Sequence, residues 1–115
     1  MELLACKLAA MLGVVRRFIV GRRLKGFRRI SPQHVSHVSG WEVYSVDQLH
    51  LGYREGPCEA HVEVEFGPII QIVTNSLQRW EPPNQAEPLS PEKRQEIIER
   101  IAASLTWEME RFELL

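Results

Sequence analysis

Four histidines and a row of glutamates are the residues of this chain best suited to chemistry. His34 and His37 stand three apart, and His50 and His61 flank a Gly-Pro turn close to Glu59, Glu63 and Glu65. Three or four such imidazoles and carboxylates, if they converged, could hold zinc. A histidine opposite a carboxylate, as His50 and Glu63 would be, could move a proton in general acid–base catalysis. Histidines and glutamates on an exposed face are more often merely solvated. The chain also has no phosphate-binding glycine loop, dinucleotide fingerprint, nucleophile elbow or spaced Cys/His signature. The expectation is therefore a protein that is not an enzyme and carries no cofactor, with a small metal-binding or catalytic domain built on the hairpin histidines and glutamates as the alternative. Cys6 and Cys58 have neither metal nor redox spacing and are too few to staple a secreted scaffold, which points to a reduced, cytoplasmic setting.

The element that must position the glutamates is a hairpin. Ala60, Val62, Val64 and Phe66 alternate with Glu59, His61, Glu63 and Glu65, and Leu49, Leu51 and Tyr53 recur at period two before Glu55-Gly56-Pro57-Cys58. A four-residue loop sets Arg54 opposite Glu59, Gly52 opposite His61 and His50 opposite Glu63. The other face then pairs Tyr53 with Ala60, Leu51 with Val62 and Leu49 with Val64. A slip of one residue would mix apolar and charged side chains on each face, so burial selects this register. Glu59, Glu63 and Glu65 thus share a wet face. Like charges along a strand cost stability that a lysine- or arginine-bearing partner would relieve; equally, such a row keeps a solvated sheet face from aggregating.

Around the hairpin, Trp41 to Val46 after Gly40 reads as a strand, and Ile69 to Thr74 as a central one, apolar on both faces. Trp80-Glu81-Pro82-Pro83 cannot be a central strand, because its prolines lack ladder donors. It reads as a stiff loop in which Trp80 is either an anchor against the helix or a contact residue for a partner. Ser90, Pro91 and Glu92 punctuate a helix start. Ile97, Ile98, Ile101, Ala102 and Leu105 make its apolar stripe, with Glu96 and Arg100 expected on the wet side. Beyond Trp107 the alternation around Phe112 favours a short strand. The expected fold is α+β: an antiparallel sheet of about four to five strands packed by a C-terminal helix, with a basic N-terminal helical segment.

The 115 residues suffice for one core, and 44% apolar with 25% charged residues excludes wholesale disorder. The net charge of −1 conceals an uneven split: through Ile30, eight bases stand against Glu2 alone, a net of +7, which leaves −8 for the remainder. This divides the chain into residues 1–30, a basic apolar helix or leader ending its helical pattern near Gly21, and residues 31–115, a single α+β domain. Lys7 interrupts the longest apolar run, which is too short to span a bilayer. The bases follow the apolar run where a secretory signal would place them first. Membrane and nucleic acid are accordingly disfavoured as partners.

From Ser76-Leu77-Gln78-Arg79-Trp80-Glu81-Pro82-Pro83 through Leu89-Ser90 to Ile97, Ile98 and Ile101, the chain resembles the immunity protein 74 family of bacterial polymorphic toxin systems. The resemblance runs from about Val62 to the C-terminus. It implies a small α+β inhibitor without a cofactor, whose partner is a cognate toxin encoded beside it. The basic N-terminal stretch departs from that family's compact pattern. Joined to the acidic face, the resemblance suggests a toxin that is basic around its active site, met by Glu59, Glu63, Glu65, Trp80 and Glu81.

Overall fold

In the computed structural model, residues 25–115 are described. They form one sheet of seven strands in sequential order, with one helix against it. The strands are β1 (Phe27–Ser31), β2 (His34–His37), β3 (Trp41–Asp47), β4 (His50–Glu55), β5 (Cys58–Glu65), β6 (Ile70–Val73) and β7 (Phe112–Leu114). Neighbours pair antiparallel except β6 and β7, which are parallel and joined through the helix α1 (Pro91–Trp107). A parallel pair needs a long crossover, and the Trp80 loop with α1 supplies it.

The sheet therefore exceeds the four to five strands expected, and the additional ones are β1 and β2. β1 carries Arg28 and Arg29 and is almost wholly exposed, while β2 contributes a single fully buried side chain, Val35. An edge strand blunted by charge lacks the period-two apolar signal. Phe27 to Ile30, grouped by charge with the basic segment, are strand residues of this sheet. The N-terminal helix expected to end near Gly21 lies outside the described residues.

The β4–β5 register is the one burial selects: His50 opposite Glu63, Leu51 opposite Val62, Gly52 opposite His61, Tyr53 opposite Ala60 and Arg54 opposite Glu59. Glu55 and Cys58 also pair, which shortens the expected four-residue loop to Gly56-Pro57 without altering the register. Gly56 has φ 54°, the positive value a two-residue hairpin turn needs at its first position. Leu49 corrects the expectation. Its carbonyl accepts from Val64 N at 2.7 Å, yet it lies outside β4 and its side chain is exposed.

The inner face of the sheet packs Trp41, Val43, Leu51, Tyr53, Val62, Val64 and Ile72 against Ile97, Ile98, Ile101 and Leu105 of the helix. Ser90 caps α1 by accepting from Lys93 N at 3.1 Å, with Pro91 in the first turn. At the other end of α1, Phe27 stacks on Trp107 and Arg29 pairs with Glu108 at 3.0 Å, so the first strand curls over to the helix. Between helix and sheet lies a charged cluster. Lys93 Nζ is 2.6 Å from Glu55 Oε1 and also bonds Glu96, while Arg100 Nη1 donates to the Tyr53 hydroxyl at 2.6 Å and lies 3.5 Å from Glu96. Glu96 is thus not on the wet face: it is 1% exposed, beside a Lys93 that is 2% exposed. Burial pushes the Tyr53 hydroxyl pKa up, with the charge of Glu55 adding to it.

Candidate functional site

The outer face of the sheet, opposite α1, carries the polar residues of every strand from β2 to β6. The pairings set His34 opposite Tyr44, Glu42 opposite Arg54, Tyr44 opposite Gly52 and Glu63 opposite Val73. Period-two alternation puts His34, Glu42, Tyr44, Arg54, Glu59, His61, Glu63 and Glu65 on one surface.

Half of this surface is a connected network. His34 bonds Glu42, and Arg54 Nη1 lies 3.5 Å from the same carboxylate. The Arg54 guanidinium also sits 5.0 Å above the Tyr44 ring. The Tyr44 hydroxyl donates to Glu59 Oε2, which is also 2.9 Å from His61 Nε2. His61 Nδ1 is in turn 3.7 Å from Glu81. Gly52 makes the arrangement possible, since a Cβ there would stand 2.3 Å from the Tyr44 ring. The hydrogen bond from Tyr44 and the one from His61 hold the Glu59 carboxyl below its usual pKa against partial burial. Tyr44 shows the counterpart shift, raised by burial and then by Glu59.

The other half of the surface is unopposed. Glu63 and Glu65 are exposed and have no side-chain partner among the described residues, while Glu113 on β7 accepts from Gln71 at 2.7 Å. The acidic row is thereby split: Glu59 is committed within the network, whereas Glu63 and Glu65 are exposed outside it. His50 stands opposite Glu63 in register, but its Nδ1 is 2.9 Å from Asp47 Oδ1. His61 engages Glu59 and Glu81, and His37 stacks on Trp41. The histidines are thus dispersed onto separate carboxylates and rings. Among the described residues no group of three or more His, Cys, Asp or Glu could hold a metal.

Trp80 is 5% exposed, stacks on Tyr53 with ring centroids 6.4 Å apart and lies 6.0 Å from Lys93 Nζ. Next to it, Glu81 N donates to Glu59 O at 2.6 Å. The Trp80 loop thereby continues along the edge of β5 beyond β6, and it brings the Glu81 carboxylate onto the margin of the outer face.

The loop and the helix also lie within a stretch that is similar to a known family. Residues 60–109 match immunity protein 74. The match spans β5 from Ala60, β6, the Trp80 loop and α1, and so agrees with the resemblance carried by Trp80-Glu81-Pro82-Pro83. It includes Glu63, Glu65, Trp80 and Glu81, and begins one residue after Glu59. No curated protein and no solved structure matches the chain. Among the described residues no helix is long and apolar enough to cross a membrane.

Tyr44, Arg54 and Glu42 belong to this surface without having been singled out from sequence as site residues, and His34, weighed there as a metal ligand, joins it through Glu42. The signal for the first three was present. Glu42 and Tyr44 alternate with buried Trp41 and Val43, and once β3 is paired with β4 they fall opposite Arg54 and Gly52.

Proposed function

We propose that this protein is an immunity protein, which neutralises a toxin encoded beside it by binding and not by catalysis. The observation that carries the proposal is the match of residues 60–109 to immunity protein 74. The outer face supports it further, because Glu63 and Glu65 are exposed carboxylates with no cation to answer them among the described residues. A toxin that is basic around its active site would supply that cation, and its approach would be steered by the acidic surface. Glu81 extends the same surface. Glu59 and Trp80 would act by holding it in shape, Glu59 through Tyr44 and His61 and Trp80 through Tyr53.

The test is co-expression of this chain with the protein encoded by the adjacent gene in a sensitive bacterial host. Growth restored by the wild-type chain, together with co-purification of the two proteins, is the expected result. Growth arrest that the chain does not relieve, with no complex recovered, would remove the proposal.

A further inference from the structure

One end of the sheet exposes apolar side chains where turns ordinarily carry polar ones. Val46, Leu49 and Phe66 are 40%, 57% and 48% exposed, and all three line one open cleft of about 790 Å³. They reach it from different elements. The β3–β4 register shifts between Ser45 and Asp47, which takes Val46 out of the ladder. A bulge of this kind re-aims a side chain. Leu49 is in the β3–β4 turn and Phe66 follows the last residue of β5. Asp47 and Glu65 line the same cleft, and among the described residues no lysine or arginine does. Asp47 is committed locally, accepting from Leu49 N at 2.7 Å and lying 2.9 Å from His50 Nδ1. Glu65 continues the Glu63 row, so the cleft adjoins the acidic face.

An apolar floor with carboxylates at its rim selects a partner by two features together. We infer that this cleft seats a protein segment in which an aliphatic or aromatic side chain is flanked by lysine or arginine, the apolar group entering between Leu49 and Phe66 and the cation meeting Glu65. The inference rests on the immunity reading, in that the segment belongs to the toxin. The cleft would supply the anchor, and the acidic face beside it would guide the approach.

Two measurements on the full chain separate this inference from that reading. In the first, the labelled protein is titrated with the capped tripeptide Lys-Phe-Lys, with Glu-Phe-Glu and Lys-Gly-Lys as controls, and followed by amide chemical shifts. Shifts confined to residues 45–50 and 65–67, given by Lys-Phe-Lys alone and lost in a Leu49→Ser/Phe66→Ser variant that keeps the wild-type spectrum elsewhere, are expected. Glu65→Gln, which leaves the apolar floor intact, should weaken them as well. Absent shifts, shifts elsewhere, or equal shifts from Glu-Phe-Glu would overturn the inference. In the second, the protein encoded by the adjacent gene is titrated with wild type and with the Leu49→Ser/Phe66→Ser variant, for which a loss of about tenfold or more in affinity is expected, as for a desolvated anchor. Equal affinity overturns the cleft and leaves the immunity reading standing. A wild type that does not bind this protein, but does take Lys-Phe-Lys at the cleft, upholds the cleft and removes the reading. A concentration-dependent dimer in sedimentation that the double variant abolishes would assign the surface to a second copy of the chain and overturn the inference.

Discussion

Tyr44 and Trp80 show how single side chains shape a surface they barely occupy. Tyr44 lies over Gly52 and donates to Glu59, and the carboxyl responds with a lowered pKa. A carboxyl depressed in the folded state contributes stability above its unfolded pKa and loses it as pH falls through the folded value. Tyr44→Phe should therefore raise the Glu59 titration midpoint in an NMR pH series. Its stability deficit should be present at neutral pH and disappear in acid, and should stay near about 0.5 kcal/mol, because the pair is only part-buried. Trp80→Ala belongs to a different order of effect. Removing an indole stacked on Tyr53 should cost about 3–5 kcal/mol in chemical denaturation. The sequence fragment around Trp80 raised both an anchor and a contact role, and its packing on Tyr53 and Lys93, neither of them close to it in sequence, supplies the anchor.

Among the elements, the β4–β5 register was legible from His50 to Arg54, though not for Leu49 or the length of the turn, because its alternation leaves one register in which no charge is buried opposite a leucine or valine. The capped helix and the strand after it were legible for similar reasons: Ser90 and Pro91 mark a start, and Phe112 alternates with charge. What misled was the polar edge of the helix. Lys93, Glu96 and Arg100 recur at helical spacing beside Ile97 and Ile101, and periodicity alone places charges outward. Glu55 on β4 pairs with Lys93 and Arg100, and this distant carboxylate is what lets the helix bury Lys93 and Glu96. Breaking such a cluster by removing one partner strands the others in a dry interior. Lys93→Ala is expected to destabilise by about 3–5 kcal/mol, more than Ser90→Ala, whose lost cap should cost about 1 kcal/mol. Thermal and denaturant melts of the two variants give the comparison, and an equal small loss in both would mean that the cluster is replaceable by solvent.

Across the described residues, α1 covers one face of a curled sheet and leaves the other to carboxylates, histidines and Arg54. β1 and β2, unannounced by any apolar run, widen that open face and carry His34 into its network. Phe27 to Ile30 of β1 looked like part of a basic segment because composition cannot tell a charged edge strand from a tail. The candidate surface was legible where it depends on the hairpin and hidden where it depends on β2 to β4 pairing, which no local pattern announces. The central claim is that this open acidic face meets a toxin. It is tested most directly by surface plasmon resonance of the protein encoded by the adjacent gene against wild type and Glu63→Lys/Glu65→Lys, at low and high salt, with circular dichroism of both chains. Wild-type binding is expected. The folded double-lysine chain should associate about tenfold or more slowly at low salt, with the gap narrowing at high salt, as screening of exposed charges requires. Unchanged association by the folded variant, or no binding by the wild type, would contradict the claim.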